Sequence, residues 1–297
     1  MDWLYGKYVL RRFRHRGLSL RGLADSPNYS VTKPDQIMLM LRYRELFHAQ
    51  RDILSFREIG FRAFSQTDED GILLYLLSLT GMPTRKCIEI CAGEGVECNT
   101  ANLLVNHGYH GLLVDGIEEN VEFGSRYYRE LRDTTVWPPI FLHKWVKTSN
   151  VNSLILDAGF EGEIDVLSLD VDGVDYWIWK EITEVRPRIV VLEYYDLWGA
   201  ERAVTVPYSD QFNAVWFEGY PGYAGASLPA FVKLGRQKGY RLVGCNQYGY
   251  NAFFLRNDVG VDVFPEVAVE QCLVHPKNHY RRKERLDKAL KFPWVEV

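Results

Sequence analysis

The sequence predicts an α/β protein whose main domain is a doubly wound sheet of five parallel strands followed by a terminal antiparallel hairpin. From residue 64 onward, short β-rich runs alternate with helical stretches, a pattern typical of crossover units and a parallel sheet. Only five residues, 246–250, separate the last two β-rich runs, so these suit a hairpin with one antiparallel edge strand. The 297 residues are 47% hydrophobic and 25% charged, a globular balance that excludes wholesale disorder.

Residues 1–63 are expected to form an N-terminal extension that contains a basic arm and one helix. Asp35 follows a lysine and a proline, and it suits the N-cap position of a helix that runs to about Phe56. The apolar side of this helix is expected to contain Ile37, Leu41, Phe47 and Leu54.

The main domain is expected to span residues 64–258, and 259–297 to form a basic C-terminal extension. The predicted strands are 86–91, 111–115, 139–143, 164–170, 188–195, 240–245 and 251–256. The helices predicted between the first five strands and before them are 70–79, 99–107, 121–131, 151–158 and 176–185. A further helix is expected before the hairpin.

Cysteine usage and hydropathy exclude several protein classes. The five cysteines include no C-x-x-C pair, which argues against a disulfide scaffold and a cysteine-built zinc site and fits a reducing cytoplasm. The longest apolar stretch, residues 72–79, is far shorter than the roughly 20 residues that a membrane span requires. The basic N-terminus has no apolar region after it, so no signal peptide is expected.

The net charge of −4 is distributed unevenly along the chain. Residues 1–21 and 277–291 each carry +5, which leaves −14 for the rest of the chain. Because a nucleic-acid binder is usually basic over its binding domain, no nucleic-acid partner is expected. The basic ends could meet an anionic lipid surface or a phosphate-bearing substrate, or they could be solvated terminal segments. The sequence leaves homo-oligomer formation open.

The first predicted strand ends in a glycine-rich turn, IEICAGEG at 88–95, before a helix. Such a turn lets the backbone approach a ligand closely at a helix N-terminus. Glu89 lies four residues before Gly93, as in the E-x-G-x-G-x-G pattern of S-adenosylmethionine sites, although Cys91 replaces the first glycine. A dinucleotide site would require a third glycine where Cys98 stands, so the methyl-donor interpretation is favoured.

The second predicted strand ends at Asp115, 22 residues after Gly93. A carboxylate at this place can accept hydrogen bonds from both ribose hydroxyls of a nucleotide-like cofactor. Gly116 would let the chain turn beside that cofactor. Asp115 could instead only cap or turn the chain.

The fourth predicted strand leads into SLDVDGVDY at 168–176, where Asp170, Asp172 and Asp175 lie within six residues. Carboxylates crowded at the carboxyl end of a parallel strand are costly without a shared cation or proton. They could hold the donor's ammonium group and act as general base, or bind a hard cation such as Mg²⁺. Glu193, at the end of the fifth strand, could complete that metal site or be a hydrogen-bonded edge carboxylate.

Two further segments have less specific signals. FSQTDEDG at 64–71 suits a helix start, with Ser65 or Thr67 as the cap and acids in the first turn. The span 196–226 suits a lid or platform for an acceptor, because it is long and rich in rings that bind sugars and flat aglycones alike. These rings include Trp198, Tyr208, Phe212, Trp216, Phe217, Tyr220 and Tyr223.

Together, several stretches resemble the FkbM-type S-adenosylmethionine-dependent methyltransferases, over about two-thirds of the chain. This resemblance implies a Rossmann-like class I methyltransferase sheet and O-methylation of secondary-metabolite or glycan hydroxyls. The stretch DVDG at 170–173 is the more specific part, although Asp172 stands where the family often has Glu. The stretches are FSQTDEDGIL (64–73), IEICAGEGVECNTANLL (88–104), GLLVDGIEENV (111–121), DVLSLDVDGVDYWIW (165–179), IVVLEYYDLWG (189–199) and GYNAFFLR (249–256).

Position by position, the resemblance and the motifs give one set of candidate site residues. For cofactor binding these are Gln66, Asp70, Glu89, Ala92, Gly93, Glu94, Gly95, Asp115, Gly116 and Asp170. The candidate catalytic residues are Asp172, Asp170 and Asp175, with Asp172 as the first choice for the base. The candidate Mg²⁺ ligands are Asp170, Asp172 and Glu193.

The sequence therefore predicts an S-adenosylmethionine-dependent O-methyltransferase for a small, sugar-containing or secondary-metabolite acceptor, with Mg²⁺ assistance left open. Three alternatives remain open beside it. The same fold could methylate nitrogen, or a nicotinamide-dependent oxidoreductase could use the same sheet. A non-catalytic binding protein on a degenerate methyltransferase fold would explain the departure at Cys91.

Overall fold

A computed structural model describes residues 27, 30–50, 53–217, 220–280 and 282–297. Eleven strands lie in these ranges, seven of them in one central sheet. They are β1 (Lys86–Ile90), β2 (His110–Asp115), β3 (Ile140–His143), β4 (Gly162–Leu169), β5 (Val185–Glu193), β6 (Val204–Thr205), β7 (Val215–Phe217), β8 (Tyr220–Tyr223), β9 (Tyr240–Cys245), β10 (Asn251–Arg256) and β11 (Val295–Glu296).

Helices cover both faces of the central sheet. They are α1 (Lys33–His48), α2 (Phe56–Ile59), α3 (Glu69–Thr80), α4 (Ala101–His107), α5 (Glu118–Glu130), α6 (Val151–Asp157), α7 (Asp175–Glu181), α8 (Leu228–Lys238), α9 (Pro276–His279) and α10 (Arg282–Ala289). Within the described ranges, none of these helices is long and apolar enough to cross a membrane.

The sheet has the order β3-β2-β1-β4-β5-β10-β9, with β1 to β5 parallel and β10 antiparallel to both of its neighbours. The predicted fold class is confirmed, because this is the strand plan of class I methyltransferases. The expectation that an edge strand is the antiparallel one is wrong. The antiparallel strand is β10, which lies between β5 and β9 and is buried along its whole length. Its sequence, NAFFLR, is an apolar run suited to a strand covered on both faces.

Two hydrophobic clusters hold the layers together, one on each face of the sheet. Alternation along β10 divides its aromatic residues between them. Phe254 packs with Trp179 of α7 and Phe231 of α8, whereas Phe253 lies in the cluster that contains α3 and α4. Packing on both faces therefore stabilises the sheet and fixes the position of the carboxyl ends of its strands.

The helix of the N-terminal extension differs from the prediction in its cap, its length and its buried face. Thr32 caps α1, and Asp35 is the third helical residue of a reciprocal capping box. The helix ends at His48, well before the predicted Phe56. Gln36 faces inward and bonds to the amide of Asn102 and to His107.

This polar contact of Gln36 turns the predicted apolar side of α1 outward. Ile37, Leu41 and Phe47 are 44%, 52% and 38% exposed. Tyr43 is the aromatic residue that α1 buries instead, and its ring packs edge-on against Tyr75 of α3. The basic stretch 1–21 lies outside the described residues.

The basic C-terminal segment packs against the chain that follows β5. β11 pairs with β6, and Trp294 stacks on Tyr195 with ring centroids 6.0 Å apart. Arg285 forms an ion pair with Asp196 at 3.2 Å. Part of the positive charge at 277–291 is therefore engaged at the carboxyl edge of the sheet.

A matched pair of substitutions tests this division between core and surface. Phe254→Ala is expected to lower the free energy of unfolding by about 3–5 kcal/mol, because it leaves a cavity between the sheet and α7. Phe47→Ala is expected to cost less than about 1 kcal/mol, since that ring is partly solvated on α1. Urea unfolding of both variants measures the difference, and equal losses would contradict the described face of α1.

Candidate active site

The carboxyl ends of β1, β2, β4 and β5 meet at one edge of the sheet. The register pairs Ile90 with Val114 and Leu169, and Leu169 with Leu192. The residues that follow these positions therefore come together, as expected for ligand sites in open α/β sheets. The candidate residues that the pairing gathers here are Cys91, Asp115, Asp170 and Glu193.

The glycine-rich turn uses left-handed backbone at three positions, Cys91, Gly93 and Gly95, with φ of 67°, 58° and 70°. For cysteine this conformation costs roughly 1–2 kcal/mol, whereas glycine adopts it readily. The backbone N–H groups of Cys91 and Ala92 both donate to Val114 O, which fixes the turn on β2.

The two glycines of the turn have different surroundings. A Cβ added at Gly93 would meet no atom within 4 Å, so this side of the turn faces open space. A Cβ at Gly95 would lie 2.7 Å from Phe141 Cζ, so this glycine is required by packing. Space for a ligand is therefore found beside Gly93. Glu94, between them, is partly buried.

Glu89 is placed behind the turn. Its two oxygens accept the backbone N–H groups of Asn99, at 3.1 Å, and Thr100, at 2.7 Å. Burial raises the pKa of this carboxyl, and the hydrogen bonds oppose the increase. Glu89 thus positions the start of α4. This role is structural, whereas the motif predicted that Glu89 binds the cofactor.

Asp115 joins the turn to β2. Its Oδ2 accepts from the Gly93 backbone N–H at 2.8 Å, and its Oδ1 accepts from Ile117 N at 2.9 Å and Asn120 Nδ2 at 3.0 Å. A carboxylate offers about four acceptor positions, so three internal bonds leave one for a ligand. Asp115 lies directly beside the open space at Gly93.

Gly116, the next residue, lies under an aromatic ring. A Cβ at Gly116 would come within 2.9 Å of Trp145 Cε3. The indole N–H of Trp145 donates to Asp210 O in the segment 196–226. Trp145 therefore connects the edge of the turn to the predicted lid.

Asp170, Asp172 and Glu193 form a carboxylate cluster, in which one oxygen of each lies within 4.8 Å of the others. Water reaches all three side chains, yet burial is the largest influence on the pKa of both Asp170 and Glu193. These carboxyls therefore lie in a recess that is open to solvent and surrounded by protein.

Asp170 and Glu193 are hydrogen-bonded to each other. Burial and then the charge of Asp175 raise the pKa of Asp170 to about 6, and burial and the charge of Asp170 raise the pKa of Glu193 well above its usual range. The two carboxyls consequently share a proton near neutral pH, because both cannot be ionised at this distance without a large cost.

The remaining two aspartates of this motif, Asp172 and Asp175, differ in their exposure to solvent. Asp172 is exposed, has left-handed backbone with φ of 53°, and donates its N–H to the carboxyl of Asp170. Asp175 is buried at the start of α7, where its oxygens accept from Val171 N at 2.7 Å and Gly173 N at 2.9 Å. The structure therefore places Asp175, predicted as catalytic, beneath the turn as its support.

The upstream segment contributes one buried and one exposed candidate. Asp70 Oδ2 accepts the backbone N–H groups of Ala63, Phe64 and Ser65, and burial raises its pKa to about 6. Asp70 Oδ2 therefore holds its own loop, and the expected role of Asp70 beside the cofactor stays a prediction. Gln66 is exposed, and in the described part of the chain its side chain has no hydrogen bond. The residue at the N-cap of α3 is Asp68, not the predicted Ser65 or Thr67.

The aromatic segment 196–226 reaches the carboxylate motif through one ring. A Cβ at Gly173 would lie 2.4 Å from Phe212, so this ring lies directly on the turn. Phe212 contacts Tyr223, which stacks on Phe292 with centroids 4.8 Å apart. Several rings of the predicted lid therefore form a core shared with the C-terminal segment, and Trp216 remains 36% exposed.

Two residues at this edge were missed at the sequence level. Tyr250 lies beside Glu193, because Asn251 pairs with Glu193 in the sheet register. The hairpin loop could have indicated this position, since it joins strands next to β5. Lys277 lies with its Nζ 4.6 Å from the centroid of the Tyr250 ring, and no sequence signal connects these positions.

The solved structures to which this chain is similar include three methyltransferases, each with low similarity to it. Magnesium protoporphyrin IX methyltransferase of Synechocystis, solved with bound SAM, is 12% identical with a TM-score of 0.38, over 63% of this chain and 76% of its own. An S-adenosylmethionine-dependent methyltransferase of Clostridium acetobutylicum is 12% identical with a TM-score of 0.39, over 73% and 96%. The N-terminal domain of EvdMO1, solved with SAH and D-fucose, is 14% identical with a TM-score of 0.41, over 74% and 95%.

No protein-family model and no curated protein matches the chain. At these identities and TM-scores, the similarities assign no activity or substrate to it. The assignment of the fold rests on the strand order and directions of the sheet itself.

The shared proton gives a pH-dependent prediction. The pKa of Asp170 is about 6 in the folded protein and 3.8 in the unfolded chain. Protonation of Asp170 therefore stabilises the folded state fully below about pH 4, and this stabilisation is lost as the pH rises through 6. Asp170→Asn should therefore raise the free energy of unfolding more at pH 7.5 than at pH 5, by about 1 kcal/mol after allowance for solvent screening. Urea unfolding at both values measures this difference.

Asp262→Asn provides the control, since this exposed acid follows β10 at the opposite edge of the sheet. The pH dependence of Asp170→Asn is compared with that of this variant. A gain for Asp170→Asn that is equal at pH 5 and 7.5 would contradict the raised pKa.

Proposed function

We propose that this protein is an S-adenosylmethionine-dependent methyltransferase that acts on a hydroxyl of a small, sugar-containing or secondary-metabolite acceptor. The observation that carries this proposal is the open side of the glycine turn at Gly93, directly beside Asp115 and at the same edge of the sheet as the carboxylate cluster. A binding space and a proton acceptor at the same sheet edge are the two parts that methyl transfer to oxygen requires.

The residues of the turn fit such a cofactor. Space is available beside Gly93, the remaining acceptor position of Asp115 suits a ribose hydroxyl, and the exposed amide of Gln66 is free to bind. Asp170, at the end of β4, would lie beside the methionine end of the donor. Cys91 is accommodated in the turn with left-handed backbone, which favours a functional site over a degenerate one.

The bound donor would supply a methyl group on a sulfonium sulfur. Transfer would form the bond between the acceptor oxygen and the methyl carbon, leave the C–S bond pair on sulfur, and require a base for the hydroxyl proton. Asp172 is the proposed base, because it is exposed and borders the recess. A positioned base contributes on the order of 10²–10⁴-fold to the rate. Alignment of the acceptor by the surrounding walls contributes up to about 7–11 kcal/mol of barrier reduction.

The finer parts of the proposal are O-methylation, membership of the FkbM-type group and a cytoplasmic location. The five cysteines are unpaired, which supports a reducing compartment. A nicotinamide-dependent enzyme is less well supported, because Cys98 occupies the place of the third glycine and is buried in the core.

A second candidate is a Mg²⁺-assisted form of the same reaction, and the carboxylate cluster favours it. Three carboxylate oxygens within 4.8 Å match the oxygen ligands that Mg²⁺ prefers. In this form Asp170, Asp172 and Glu193 would hold the ion, and the ion would orient the acceptor oxygen. The shared proton of Asp170 and Glu193 would then be displaced by the metal.

Calorimetric titration with S-adenosylhomocysteine tests the cofactor. The wild type is expected to bind with a micromolar Kd, and Asp115→Ala to bind at least tenfold more weakly, because it loses both the ligand contact and the bond to Gly93. Asp262→Ala is the matched control and should bind like the wild type. Absence of binding to the wild type, with and without Mg²⁺, would refute the methyltransferase proposal.

Transfer of labelled methyl groups separates the two roles of the carboxylates. If Asp172 is the base, Asp172→Asn should lower kcat by about 10²-fold or more while S-adenosylhomocysteine affinity is retained. Dialysis against EDTA should leave activity unchanged in the metal-free form and abolish it, with recovery on added Mg²⁺, in the metal-assisted form. Full activity of Asp172→Asn would exclude the assigned role.

A further inference from the structure

The wall beside Glu193 is built by the hairpin loop and the short helix α9. Tyr194 N donates to Tyr250 O at 2.7 Å, which holds the end of the loop against the end of β5. The hydroxyl of Tyr250 is hydrogen-bonded to Thr67 at 3.0 Å, next to Gln66. This wall therefore lies on the β5 and β10 side of the carboxylate cluster, away from the turn at Gly93.

Lys277 places a positive charge on this wall without a carboxylate partner. Within the described ranges, its Nζ has no ion pair at 4.0 Å or less, and it lies 4.6 Å from the centre of the Tyr250 ring. Of the two nearby acids, Asp196 is ion-paired with Arg285, and Glu193 is hydrogen-bonded to Asp170. Burial lowers the pKa of Lys277, so its charge is maintained at a cost.

The backbone around Lys277 is fixed on both sides. The buried side chain of Asn278, with its amide turned to satisfy both neighbours, donates to Asp196 Oδ2 at 3.1 Å and to Tyr248 O at 3.2 Å. The backbone N–H of Lys277 donates to His275 Nδ1 at 3.1 Å. The ammonium group of Lys277 is therefore held on a rigid backbone. Because Nδ1 of His275 accepts a hydrogen bond, the neutral ring carries its proton on Nε2.

An aromatic surface continues from this cation. The rings of Tyr248 and Tyr250 are parallel, at 3° with centroids 6.5 Å apart, and His275 packs edge-on against Tyr248 at 5.2 Å. Tyr248 is 37% exposed, so part of its ring is open to a ligand. Exposed rings beside a fixed cation suit a flat or ring-shaped molecule that carries a negative charge.

We infer that Lys277, with Tyr248 and His275, forms the acceptor subsite, and that the acceptor is an anionic sugar whose carboxylate or phosphate group binds the ammonium of Lys277. This inference rests on the proposed methyltransferase function, and it names the substrate class of the same site. The sugar ring packs on Tyr248, and its hydroxyl reaches the carboxylate cluster.

The position of this subsite distinguishes it from the cofactor's own carboxylate group. The cofactor is assigned to the ends of β1, β2 and β4, whereas Lys277 lies beyond β5 against the hairpin loop. Loss of Lys277 should therefore leave the affinity for S-adenosylhomocysteine unchanged. Phe212 of the aromatic segment 196–226 lies on the turn at Gly173.

The test is a set of titrations of the full chain saturated with S-adenosylhomocysteine, using D-glucuronate, D-glucose 1-phosphate and neutral D-glucose as probes. The proteins are the wild type, Lys277→Met, Lys277→Arg and Lys283→Met. Lys283 is an exposed lysine of the same basic segment, so Lys283→Met controls for the change in net charge.

At least one anionic probe is expected to bind the wild type tenfold or more tightly than D-glucose, and glucuronate and the phosphate separate the two kinds of anion. Lys277→Met should lose that preference, Lys277→Arg should retain most of it, and Lys283→Met should match the wild type. Equal affinity for charged and neutral sugars, no binding of either anion, or weaker S-adenosylhomocysteine binding by Lys277→Met would overturn the inference.

The titration with S-adenosylhomocysteine alone is read first. Failure of the wild type to bind it refutes the proposed function, and the sugar titrations are then repeated without it. A wild type that binds S-adenosylhomocysteine but shows no preference for an anionic sugar leaves the methyltransferase proposal intact and removes the anionic acceptor.

Discussion

The arrangement of the site depends on buried carboxylates that accept backbone N–H groups. Asp115 fixes the glycine turn, Glu89 fixes the start of the next helix, Asp175 fixes the turn after β4, and Asp70 fixes the loop before α3. Each bond joins a charge to an amide that would otherwise lack a partner, and such bonds are stronger than those between neutral groups. Four loops of different sequence therefore have defined shapes at one edge of the sheet.

These anchors divide the acids of the site into two groups. The acids that hold loops have their oxygens directed into the protein, whereas Asp170, Asp172 and Glu193 keep theirs in the solvent-filled recess. Confining them in that recess raises the pKa values of Asp170 and Glu193, because a proton or a bound cation relieves the repulsion between the carboxylates. Their electrostatic strain is a cost in stability, of the kind that functional sites commonly impose.

The sequence predicts the fold well because buried parallel strands and crossover helices have distinct patterns. Its errors have local causes. The antiparallel strand is interior because NAFFLR is apolar on both faces, and α1 turns its apolar residues outward because Gln36 binds Asn102 and His107. Motif spacing predicts that Asp175 lies at the carboxyl edge of the sheet. It does not predict whether the oxygens of Asp175 face a ligand or its own turn. Lys277 is 84 residues from Glu193, and only the folded chain joins them.

The order of the chain has a consequence for synthesis. A nascent chain emerges N-terminus first, so the strands that bear Asp115, Asp170 and Glu193 leave the ribosome before Lys277 and Trp294. The glycine turn and the carboxylate cluster therefore leave the ribosome before the basic segment that carries Lys277. Translation that stops after β10 would yield a chain that contains these elements and the hairpin loop, but lacks Lys277, the cation of the proposed acceptor subsite.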